Sequence, residues 1–84
     1  MSNPILNPMT ISSGRLLTRD ESNNIKAVIA SQGMSQREFA ETKGVSYQRL
    51  AKMLQLTESV GPKYARLFNR SLRALHRRLT AIAA

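Results

Sequence analysis

Residues 35–55 read SQREFAETKGVSYQRLAKMLQ, two short polar-apolar segments hinged on Gly44. The first opens with a capping box, Ser35-Gln36-Arg37-Glu38, in which the serine oxygen accepts from the amide three residues on and the glutamate reaches back to the cap amide. Met34 before the cap and Phe39 inside the helix form the hydrophobic staple of such a start. Ser46 opens the second segment, with Val45 and Leu50 as its staple, although Arg49 stands where a full box has an acid. Gly44 supplies the left-handed stop between them. The spacing therefore predicts helices over about 36–43 and 47–55.

Working outward, Thr18-Arg19-Asp20-Glu21 is another capping box, followed by Ile25, Val28 and Ile29 at helical spacing and Gly33 as a stop. On the other side, Gly61-Pro62 places a proline at a first helical position. No glycine or proline follows Lys63, so 62–83 reads as one long helix or as two pieces broken near Asn69-Arg70-Ser71. Residues 1–17 hold Pro4, Pro8, Gly14 and scattered Ser and Asn, which argues against helix. They read as a loose tail or as a small hairpin turning at Ser13-Gly14, an arm free to extend a dimer or touch DNA. The expected fold is all-α, a small bundle of four to five helices over 18–84 preceded by this arm.

Composition narrows the function. The chain has 84 residues, 42% of them hydrophobic, enough for one domain with a modest core that self-association would help. It has no cysteine and one histidine, which excludes a disulfide framework and zinc fingers. No apolar run reaches membrane-spanning length and the first ten residues lack signal-peptide layout, so a cytoplasmic protein is expected. With Asp20 as the single aspartate and no phosphate-cradling Gly-rich loop, no constellation for acid–base or nucleophilic chemistry exists. No enzyme activity, cofactor, metal or small-molecule ligand is expected.

The net charge is +8, and residues 43–84 carry all of it, with Glu58 as their one acid. A one-sided positive field draws polyanions, nucleic acid above all. On the second short helix, Leu50, Met53 and Leu54 share one face, while Gln48, Lys52 and Gln55 point the opposite way, flanked by Arg49 and Ala51. Gln pairs bidentately with adenine, and Arg or Lys with guanine. Tyr47 is placed to meet a phosphate or a thymine methyl, or to pack at the corner between helices. Gln36 and Arg37 sit at a positive helix end that favours phosphate oxygen.

With these residues in place, the segment from Asn23 to Leu56 resembles the lambda-repressor-like, Cro/XRE-type helix-turn-helix domains. Phe39, Ala40, Gly44, Val45, Leu50 and Met53 occupy the family's apolar, small and turn positions. Lys43 departs from it, standing where an apolar residue is usual; its stem can cover apolar surface while its amine reaches water. The resemblance implies that Gln36 anchors phosphate, that Tyr47, Gln48 and Lys52 reach base edges, and that Gln55 lies near the backbone. Arg49 joins the base-contacting set, and Arg37, Lys43 and Ser46 the phosphate-contacting one.

Between Lys63 and Ala84, Tyr64, Phe68, Leu72, Leu75, Leu79 and Ile82 recur at steps of four and three, opposite a stripe of Lys63, Arg66, Arg70, Arg73 and Arg77. The first turns, with Leu67 and Phe68, are expected to close the core, and Leu72, Leu75, Leu79 and Ile82 to form a homodimer interface, the alternative being that the whole stripe is core of its own chain. The leading function is thus a sequence-specific double-stranded DNA-binding regulator, a small phage- or plasmid-type repressor on a palindromic operator. The alternatives are an antitoxin- or antirepressor-like protein-interaction module and an excisionase-like architectural DNA binder.

Overall fold

Helix starts follow the capping chemistry. In the computed structural model, which describes residues 10–83 and side chains through Leu79, α1 spans Arg19–Ser31. Thr18 Oγ1 accepts from the Glu21 amide at 3.1 Å, and Glu21 Oε1 accepts from the Thr18 amide at 2.9 Å. Helix α2 (Gln36–Lys43) closes the same box between Ser35 and Glu38 at 3.1 and 3.0 Å. Helix α3 (Tyr47–Leu54) has half a box, Ser46 Oγ accepting from the Arg49 amide at 3.3 Å. Gly44 ends α2 at φ +68°, where an added Cβ would meet nothing within 4 Å. The backbone angle, not crowding, requires glycine there.

Helix α4 (Pro62–Ala83) is a single rod, unbroken at Asn69-Arg70-Ser71. The described residues form these four helices and no strand. Helix α1 packs on the other three, and α2 packs on α3. Phe39, Ala40, Leu50, Met53 and Phe68 are fully buried where they meet, joined by Ile25, Val28 and Ile29 of α1. Burying a side chain of this size stabilises by about 1.5–3 kcal/mol, which is what holds two helices too short to persist alone.

Two expectations need correction. The described part of the N-terminal segment is neither a loose tail nor a hairpin. Ser13-Gly14 does turn, with Gly14 at φ +87°. The strand-like partner is the α3–α4 connector: the Gly14 amide donates to the Val60 carbonyl and the Val60 amide to the Arg15 carbonyl, both at 2.8 Å. Ile11 and Leu17 are buried in the core. Asn69 of α4 holds both polar groups of the Ile11 backbone, its Oδ1 accepting at 2.6 Å and its Nδ2 donating at 2.9 Å. Residues 1–9 lie outside the described residues.

The second correction concerns the dimer stripe. Leu72 is 7% exposed and belongs to the core of its own chain. Leu75 is half-buried against that core, and Leu79 is 56% exposed. The stripe serves the chain itself until α4 outruns the other helices, so Leu72 is unavailable to a second copy. The Ile82 side chain lies outside those described.

Glu21 does double duty. Besides closing the α1 cap it accepts two hydrogen bonds from Arg15, at 2.8 and 2.7 Å, while itself buried. The Arg15 guanidinium, aided by the Thr18 amide, holds the Glu21 carboxyl below its ordinary value of 4.5 against the opposing effect of burial. Glu38 is lowered as well, chiefly by the Ser35 amide. A carboxyl lowered by folding stabilises fully above its unfolded value and loses that contribution as pH falls through the folded one. We expect Glu21→Gln to be less stable than the parent at neutral pH, and the gap to close as pH falls through and below the ordinary carboxylate range. Denaturant titrations at stepped pH measure it; a gap independent of pH would show that the Glu21 charge is not what matters.

Asn69→Ala strands the Ile11 amide and carbonyl. It is expected to destabilise by about 1–3 kcal/mol. Hydrogen exchange should show Ile11 and Gly14 losing protection before the helices do.

Candidate nucleic-acid interface

An eight-residue helix presents a fixed face only if something holds it at both ends. At the start of α3, the Ser46 amide donates to Tyr64 Oη of α4 at 3.0 Å. At its end, Ser22 Oγ of α1 donates to the Leu54 carbonyl at 2.6 Å, within the core. Between these anchors Leu50, Met53 and Leu54 are buried to within 2%. The rotation of α3 is thereby fixed. At 100° per residue Gln48, Lys52 and Gln55 must face away from the core, and all three are exposed. That face carries amide and ammonium groups and no acid.

The flanks are less uniform than expected. On one, the Arg37 guanidinium of α2 lies 4.9 Å from the centroid of the Tyr47 ring, so the first turns of α2 and α3 meet through a cation–π pair. Tyr47 is exposed, at the corner between helices. Gln36, beside Arg37, is half-buried. On the other flank Arg49 is turned away from the outward face. Its Nε donates to Glu58 Oε2 at 2.9 Å, and its guanidinium lies 5.2 Å from the Tyr64 ring centroid. The Glu58 carboxylate raises the Arg49 pKa further above its ordinary value. The single acid of the basic half thus pairs with Arg49, which the sequence places in the base-contacting set, at the α3–α4 connector.

The expected phosphate contacts also separate. Ser46 has committed its amide to Tyr64 and its oxygen to the α3 cap. Lys43 is exposed, its ammonium 5.7 Å from the Phe39 ring centroid. Lys43 faces a groove with α4 rather than joining the α3 face. Gln55 caps the end of α3 and lines a cleft of about 280 Å³ with Arg19 and Lys26 of α1. Sequence reading assigned neither cation to the site, because nothing local says which face of α1 borders the end of α3.

No family model, curated protein or solved structure matches the chain. Among the described residues no cluster of His, Cys, Asp or Glu could hold a metal ion, and no helix is long and apolar enough to cross a membrane. Chemically, the α3 face can donate and accept hydrogen bonds along a cationic edge.

Proposed function

We propose that the chain is a sequence-specific DNA-binding transcriptional regulator of the lambda-repressor-like helix-turn-helix type, with α3 as its recognition helix. The observation that carries this reading is the outward face of α3. It is short enough for a major groove, pinned at both ends, and rich in Gln and Lys without an acid. In this reading Gln48 and Lys52 meet base edges, with Gln48 suited to adenine and Lys52 to guanine. Tyr47, braced by Arg37, meets the edge of the groove. Gln36 and Arg37 hold phosphate on one side, and Gln55 with Arg19 and Lys26 on the other. The +8 net charge displaces counterions and supplies the sequence-independent part of the affinity. The protein acts by occupancy, without catalysis or a cofactor.

Two copies joined through Leu75 and Leu79 would suit a palindrome whose half-sites lie about 10 bp apart. Selection from randomised duplexes tests the reading, and should return such a palindrome. Gln48→Ala combined with Lys52→Ala should cost about 1–3 kcal/mol for each base no longer read and flatten the preference at those positions. A double variant that keeps full selectivity would overturn the assignment of α3. Leu79→Glu is expected to leave the fold intact and shift sedimentation toward monomer; an unchanged distribution would remove α4 from the interface.

A further inference from the structure

The end of α2, the turn after it and the first three turns of α4 enclose a groove of about 220 Å³ that contains no residue of α3. Lys43, Lys63, Arg66 and Arg70 ring it, and Val45 and Leu67, half-buried against the core, form its floor. Both ion pairs among the described residues, Arg15–Glu21 and Arg49–Glu58, lie elsewhere. Lys63 donates to the Gly44 carbonyl at 3.1 Å, which fixes α4 beside the turn. Arg66 and Arg70 are exposed, and no carboxylate among the described residues is within ion-pair distance of either.

We propose that this groove is a docking site for an acidic segment of a partner protein, one that sets an aliphatic side chain on Val45 and Leu67 between carboxylates paired to Arg66, Arg70 and the two lysines. Charge complementarity selects the occupant. The chain's five acids are Asp20, Glu21, Glu38, Glu41 and Glu58, so residues 1–9 and 80–84 have none to offer. A second copy brings five acids against thirteen lysines and arginines, and Glu21, Glu38 and Glu58 among them are already engaged by a helix cap or a guanidinium. Lys63, Arg66 and Arg70 rise along α4 by about 4.5 Å and then about 6 Å, the spacing of carboxylates three and four residues apart on a facing helix. Arg takes carboxylate bidentately, and an apolar anchor ringed by charge is how small interfaces gain specificity. DNA phosphates would satisfy the cations and leave the floor unfilled.

The site stands apart from the α3 face, so its test is independent of the proposed DNA reading. The probe is a helical peptide of roughly fifteen residues with glutamates three and four apart around one leucine, titrated into the full chain while the Val45 and Leu67 methyl resonances are followed by NMR. Both should shift. Arg66→Glu with Arg70→Glu should weaken binding about tenfold or more, as removing charge-assisted hydrogen bonds requires. The Gln versions at the same positions provide a milder second arm should the reversal perturb folding. Replacing the peptide leucine by serine should weaken binding comparably, whereas Gln48→Ala with Lys52→Ala should leave it unchanged. The proposal is overturned if neither methyl shifts, or if the serine peptide binds equally, leaving charge alone. It also fails if a random-sequence duplex shifts the same methyls and displaces the peptide, which would make the groove a nucleic-acid contact. Failure of the parent chain to select any operator, with peptide binding intact, would count against the α3 reading only.

Discussion

Two buried hydroxyls decide what this molecule can present. Ser22 Oγ closes on the last carbonyl of α3, and Tyr64 Oη receives the amide at its cap. A helix of eight residues has little stability of its own, and its unsatisfied end groups are the costliest part of burying it. Supplying one partner from α1 and one from α4 lowers that cost and, with the buried face, fixes the helix in rotation and along its axis. The rest of the fold serves these anchors. Helix α2 lies against α3 with Ala40 buried at the contact region, and the Arg15–Val60 pairing and the Asn69 clamp hold the flanking segments in place. Tyr64 does most, since its ring also carries Arg49 on one side and tilts against Phe68 at 6.3 Å.

The distribution of charge follows from how few acids there are and how they are used. Glu21 and Glu38 close helix starts, Glu21 also binds Arg15, and Glu58 binds Arg49. Each lies where a cap or an adjacent guanidinium engages it. Lys52 of α3 and Arg66 and Arg70 of α4 are exposed, and no carboxylate among the described residues pairs with them, so the local field there is positive. Screening weakens that field beyond about 10 Å at ordinary ionic strength, so its effect is on encounter and on close contact, not on the fold.

What was legible in the sequence was local. Capping boxes and staples act over four or five residues, so Thr18, Ser35 and Ser46 could be read as starts and Gly44 as a stop. The stop of α3 was harder, because Leu56 takes the left-handed conformation at φ +66° where glycine is usual. Its half-buried side chain, packed on the core, offsets a steric cost of about 1–2 kcal/mol. Long-range choices left no local trace. Asn69 reads as a helix breaker and is a clamp for Ile11, fifty-eight residues away. Arg49 reads as a base contact by position, and the tertiary placement of Glu58 and Tyr64 redirects it. Leu72 and Leu79 are the same residue type at the same periodicity, and only the length of the neighbouring helices separates the core leucine from the exposed one.

That last distinction bears on how α4 could transmit geometry. From Tyr64, which holds the α3 cap, to Leu79 is fifteen residues of uninterrupted helix, about 22 Å with no glycine or proline to bend it. Any partner gripped by the outer turns is therefore referenced to α3 through one rigid rod and one hydrogen bond. Under the proposed pairing, the separation of two recognition helices is set by where along α4 the second copy sits, since one helical turn of slip moves it by about 5.4 Å. A groove on the flank of the same rod, beside the turn that leads into α3, would set an acidic partner against the inner end of that linkage. Reading face, outer stripe and groove share no residue, yet all three are fixed by the first turns of α4.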